Sequence, residues 1–206
     1  MQKVQVKFGN WIESGFNLYK NNFGTLVLAS ILVVVLSTVT IGILAGPMLA
    51  GLALVILALL DKKSPAPDAV AVFKGFNYFL NSLLFVAVWG IAIFIGSIIL
   101  GVIPLVGQLA SIFFVYAAQA FLMFAMFLIV DQQMDFWPAS MESINTVKTN
   151  FWPFFGASAV AGIIGSIGAI AFGIGIVLTL PIQGCILAVA YRDVYGDSAN
   201  HGSPVE

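Results

Sequence analysis

The chain has 206 residues, of which 8% are charged and 61% hydrophobic, with 18 Phe, 20 Gly and a formal net charge of -1; its mean hydropathy is +1.06. Soluble chains carry roughly 25% charged residues, so this composition is that of an integral membrane protein, with no basic block for nucleic acid and no acidic disordered tail. One Cys and one His exclude a disulfide framework and a Cys/His zinc site, and no metal ligand set or cofactor is expected.

The charges fall in four clusters: Lys3 to Lys20, Asp61 to Lys74, Asp131 to Lys148 and Arg192 to Glu206. Three uncharged stretches separate them, Asn21 to Leu60, Gly75 to Val130 and Thr149 to Tyr191, of 40, 56 and 43 residues. A helix crosses a bilayer with about 20 apolar residues, so each stretch holds two spans. Two per stretch puts all eight Lys and Arg on one side of the membrane. Because Lys and Arg accumulate in cytoplasmic loops, both termini and both longer loops are expected inside, and the location is the cytoplasmic (inner) membrane of a prokaryote.

The first twenty residues read as a retained segment, since Lys3, Glu13 and Lys20 make it longer than the basic region of a cleaved signal peptide. From Phe8, the residues Ile12, Phe16, Tyr19 and Phe23 recur at helical spacing and predict an amphipathic helix in the headgroup plane. A first outer turn follows at Gly42 to Pro47, then a span closing at Asp61. Pro65 and Pro67 interrupt the chain, and Asp68 is placed to cap a second amphipathic helix carrying Val72, Phe73 and Phe76. The second outer turn is expected at Val102 to Gln108 and the span after it closes at Asp131. A third amphipathic helix begins near Pro138, with Glu142 and Lys148 suited to the two ends of its dipole. The last turn is expected at Phe172 to Ile176.

These lead-in segments read alike: Gly15-Phe16-Asn17, Gly75-Phe76-Asn77 and Ser143-Ile144-Asn145. Each is followed by an apolar run, then by Pro47-x-x-x-Gly51, Pro104-x-x-Gly107 or Pro181-x-x-Gly184, and then by a second run ending at Asp61, Asp131 or Arg192-Asp193. The expected fold class is therefore all-α: a polytopic membrane helix bundle of six transmembrane helices, arranged as three hairpins in a pseudo-threefold repeat, each preceded by an interfacial amphipathic helix. The repeats run over about 8–61, 68–131 and 136–193 within a single membrane domain, 1–196, and residues 197–206 form a polar tail.

No ionisable residue lies in the middle of an expected span, which argues against proton relays, ion coupling and an enzyme. The candidate positions inside the bundle are neutral: Gln119 and Gln183, with Pro47, Pro104 and Pro181 as kink positions that free backbone carbonyls. Interhelical packing is the ordinary use of such groups. In the fifth span Ser158, Gly162, Ser166, Ala169 and Gly173, widened by Ala161, Gly165 and Gly168, form a small-residue ridge for close helix approach. Asp61, Asp131 and Asp193 are candidate cytoplasmic acids, with Lys62, Lys63 and Arg192 beside the first and third and no base adjacent to Asp131.

The stretches Gly15-Phe-Asn-Leu-Tyr-Lys-Asn-Asn-Phe23, Gly46-Pro47, Phe127-Leu-Ile-Val-Asp131, and Leu180-Pro-Ile-Gln-Gly184 running to Ala190-Tyr-Arg-Asp-Val-Tyr-Gly196 resemble an uncharacterised family of bacterial and archaeal multi-pass membrane proteins. That family is similar to the membrane domain fused to some glycerophosphoryl diester phosphodiesterases. The resemblance covers the chain to Gly196 and implies neither an activity nor catalytic residues. The expected function is a non-catalytic scaffold or accessory subunit acting through helix packing and lipid contact. The alternative is a passive carrier or channel for a lipid-like or neutral solute. Membrane lipids are the expected partners, with a membrane protein or a second copy of the chain left open and nucleic acid excluded.

Overall fold

The structure is a computed structural model that describes residues 7–170 and 174–199. The described residues are helical, without a strand. In chain order they form α1 (Phe8–Asn21), α2 (Phe23–Val39), α3 (Ala45–Leu60), a 3₁₀ segment (Ala69–Tyr78), α4 (Phe79–Gly101), α5 (Val106–Leu122), α6 (Ala125–Asp131), α7 (Phe136–Thr149), α8 (Phe151–Ile170) and α9 (Ile174–Ala199). Three helical runs are long and apolar enough to cross a membrane: Ala69–Gly101, Val106–Asp131 and Gly175–Gly196. A fourth exists if α1 and α2, bent by 90° at their junction, count as one, and Ala45–Leu60 and Phe151–Gly165 are shorter apolar helices.

The lead-in segments dock through small residues. In α1 the inward face is Trp11, Gly15 and Tyr19, one residue per turn, while Phe8 and Phe16, like Phe23 at the start of α2, are exposed. The expected aromatic stripe is thus the outer face, and Tyr19 alone belongs to the buried one. A methyl group on Gly15 would stand 2.7 Å from the Cα of Ile186, so α1 lies directly on the backbone of α9.

The second lead-in is a 3₁₀ helix, not an amphipathic α-helix. Asp68 caps it by accepting from the Ala71 amide at 3.1 Å. With three residues per turn, side chains three apart eclipse one another. Phe73, Phe76 and Phe79 accordingly stack along one outer edge, with centroids 6.3 and 6.2 Å apart, while Val72 and Gly75 face inward. Gly75 meets the backbone of α3 at Pro47 and Gly51, and Gly51 in turn meets the Val72 carbonyl, leaving no room for a Cβ at either glycine. The segment runs on into α4 as one 33-residue helical stretch, so it does not lie apart from the span as α1 does.

The third lead-in, α7, buries Ala139, Ser140, Ser143 and Val147. The run expected as an unbroken fourth span is interrupted between α5 and α6, with neither Pro nor Gly at the break. Ser143 occupies it: its hydroxyl donates to the Phe121 carbonyl at 2.7 Å and accepts from the Phe124 amide at 3.2 Å. A side chain from a neighbouring helix thereby satisfies the backbone groups that the break frees.

The turn between α2 and α3 holds Ile41 and Gly42 at φ 52° and 85°. Pro47 lies in the first turn of α3, where its missing N–H would have had no helical partner. Pro104 lies in the turn between α4 and α5. Pro181 alone of the three is inside a helix; it is buried, and α9 continues through it. Of the third turn expected at Phe172 to Ile176, Ile174 to Ile176 begin α9, while Phe172 and Gly173 lie outside the described residues, as do the side chains of Ser166 and Ala169.

Candidate functional site: an ion cluster and a central cavity

The C-terminal ends of α3 and α6 converge on Arg192 of α9. Its Nε and Nη2 donate to the two carboxylate oxygens of Asp61 at 3.0 and 2.7 Å, and Nη1 and Nη2 donate to Asp131 at 2.6 and 3.0 Å. Tyr191 adds a hydroxyl donation to Asp131 at 2.9 Å. The three charged side chains are about a quarter exposed, so the pairs are shielded from solvent more than ordinary surface bridges are. Asp193 belongs to another group, accepting from Trp11 Nε1 at 2.9 Å with Lys7 at 3.9 Å. The expected acids are therefore divided two and one, and the base that Asp131 lacks in sequence comes from 61 residues away. Arg192 and Asp193 diverge because adjacent helical residues point about 100° apart.

Beneath the cluster, α3, α4, α5, α6, α8 and α9 enclose a partly open cavity of about 390 Å³. Its walls are mainly apolar, among them Ile56, Phe85, Trp89, Met123, Phe127 and Leu187. Gln119 and Gln183 both line it, and so does Ser158. The ridge of α8 brings the three together. A methyl group on Gly162 would stand 3.0 Å from Gln119 Oε1, and one on Gly165 would collide with Gln183 Oε1, so each amide rests over a glycine. Ser158, Gly162 and Gly165 follow one another on one helix face, with successive turns about 5 to 6 Å apart.

Trp89 closes the α4 side and is fixed from behind by Nε1 donation to Ser140 Oγ at 2.9 Å and by stacking on Trp137 at 6.2 Å. Sequence reasoning singled out Gln119 and Gln183 as polar residues in apolar runs. It missed Ser158 as a cavity group, Trp89, and the double reach of Arg192. Trp89 and Arg192 were legible only as a lone aromatic and a helix-end base, types that occur in any membrane helix. No family model, curated protein or solved structure matches the chain.

Proposed function

We propose that the chain is a six-span, non-catalytic component of a prokaryotic cytoplasmic membrane, with both termini inside, that acts as a scaffold or accessory subunit through helix packing and lipid contact. The observation that carries this reading is the ring of docking contacts. The second lead-in, through Gly75, sits on α3 of the first hairpin; the third, through Ser143, sits on the α5–α6 junction of the second; the first, through Gly15, sits on α9 of the third. A cyclic order of this kind is what three repeats about a pseudo-threefold axis produce. Asp61 and Asp131 close α3 and α6, and Arg192, inside α9, stands where a third acid would leave the cluster uncompensated.

Three runs have the length of a span, or four if α1 and α2 count as one, and the remaining spans of this reading rest on the charge partition of the sequence and on shorter apolar helices. The 20 residues of α8 extend about 30 Å, the thickness of the hydrocarbon core, and the shorter α2 and α3 extend about 24 Å. Lipid contact is favoured by the outer side of the α4–α5 hairpin, where Ile91, Phe94, Ile98, Ile99, Leu109 and Ile112 are exposed. The resemblance to the multi-pass family points the same way.

The alternative reading, a passive carrier for a lipid-like or neutral solute, is favoured by the single cavity that joins Gln119 to Gln183. Its mainly apolar wall is unlike a continuous polar lumen, and on that ground we put the scaffold first. Reconstituted liposomes separate the two. The scaffold leaves glycerol leak and the flip of a fluorescent diacyl lipid at protein-free rates; saturable flux of either would overturn it in favour of the carrier.

A further inference from the structure

We propose that the central cavity binds one uncharged amphiphile, a neutral lipid whose hydroxyl or carbonyl head is held by Gln119, Gln183 and Ser158 while its hydrocarbon chain occupies the apolar wall. Within the described residues neither amide makes a hydrogen bond, nor does the Ser158 hydroxyl. Ser158 is 4% exposed, Gln183 is half-buried and Gln119 is exposed, and all three line the cavity. Each amide carries two donors and an oxygen with two lone pairs. Such groups are costly to leave unmet in apolar surroundings, and three of them converging on one space define a polar locus that the chain itself does not fill.

Depth and charge define the guest. Gln119 precedes Asp131 by twelve residues and Gln183 precedes Arg192 by nine, which at 1.5 Å per residue sets the amides about 14 to 18 Å from the ion cluster, near the middle of a bilayer core. No Asp, Glu, Lys or Arg lines the cavity, so a carboxylate or phosphate head would be buried without a counter-charge. A pure hydrocarbon would leave all three polar groups unmet. A hydroxyl or carbonyl head meets them, and the volume is within the range of small-molecule pockets rather than that of one or two waters. The glycines position the head group: a side chain at Gly162 or Gly165 would drive the amides out of their present places.

The inference rests on the membrane reading of the bundle and requires neither transport nor a partner protein. It is tested with the full chain in nanodiscs and a diazirine-bearing 1-acylglycerol, photolysed and mapped by mass spectrometry. Adducts are expected on Met123, Met126 or Leu187, displaced by excess 1-oleoylglycerol but not by hexadecane or oleate. The Gln119→Leu, Gln183→Leu double variant is expected to reduce those adducts about tenfold, while adducts on outward-facing Ile98 and Ile99 stay constant. If the double variant melts early, Ser158→Ala and Gln183→Met alone serve the same comparison. Cavity adducts unchanged by these substitutions, or displaced equally by hexadecane, would overturn the proposal and mean that water satisfies the amides. Labelling confined to Ile98 and Ile99 would overturn it too.

Discussion

Arg192 grips Asp131 with two parallel bonds, 2.6 and 3.0 Å long, while its remaining donor edge holds Asp61. One planar guanidinium thereby ties α9 to the ends of α3 and α6, helices that lie far apart in sequence. An ammonium group presents no such fork and could not hold both carboxylates in this geometry. Its removal would leave two partly shielded carboxylates facing each other.

Arg192→Gln is expected to destabilise the bundle by about 2 kcal/mol, between the values for exposed and fully buried pairs. The loss is read as a lower melting temperature in detergent. Arg192→Lys recovers only part of it, and adding Asp61→Asn to Arg192→Gln restores stability by removing the repulsion. A melting temperature unchanged in Arg192→Gln would mean the cluster is solvated and carries no load.

Glycines at the docking sites and glycines on open faces behave differently. Gly51→Ala and Gly75→Ala push a methyl into backbone and are expected to cost several kcal/mol or abolish expression, with Gly15→Ala close behind. Gly24→Ala and Gly90→Ala meet open space and are expected to leave yield and melting as in wild type. Equal behaviour of the two sets would contradict the close approach of the lead-in segments to α3 and α9.

The ends of α3 and α6 at Asp61 and Asp131 were legible because charges mark where a chain meets water, whereas α9 continues past Arg192 and Asp193 to Ala199. The faces of the lead-in segments were not legible. Phe8 and Phe16 of α1, with Phe23 at the start of α2, form the most conspicuous stripe, yet the face that docks is Trp11, Gly15 and Tyr19, where Gly15 admits the backbone of α9. Repetition every three residues at Val70, Phe73, Phe76 and Phe79 carried the signal for the 3₁₀ segment, and helical spacing was assumed in its place. Neither the break at Met123–Phe124 nor its repair by Ser143 leaves a mark in local sequence, since both depend on a helix that arrives later in the chain. In the cavity, the two Gln were recognisable by type and only the packing of α8 reveals that they share a space.

Ser143→Ala is expected to cost about 1 to 3 kcal/mol, since it orphans the buried Phe124 amide. Hydrogen exchange gives a local readout: the Phe124 amide exchanges faster in the variant while the middle of α3 does not change. Exchange at Phe124 as slow as in wild type would show that another group satisfies the break.

The central claim is a three-hairpin bundle with every lead-in segment and every charged loop on one side, and cysteine labelling in intact cells tests it most directly. The native Cys185 is buried and provides a quiet background. Single cysteines at Ile43 and Val106, exposed near the two described outer turns, are expected to react with a membrane-impermeant maleimide added outside. Cysteines at Lys63 and Lys148 are expected to react only after the cells are opened. Labelling of Lys63 or Lys148 positions in intact cells, or protection of both Ile43 and Val106 positions, would contradict the account.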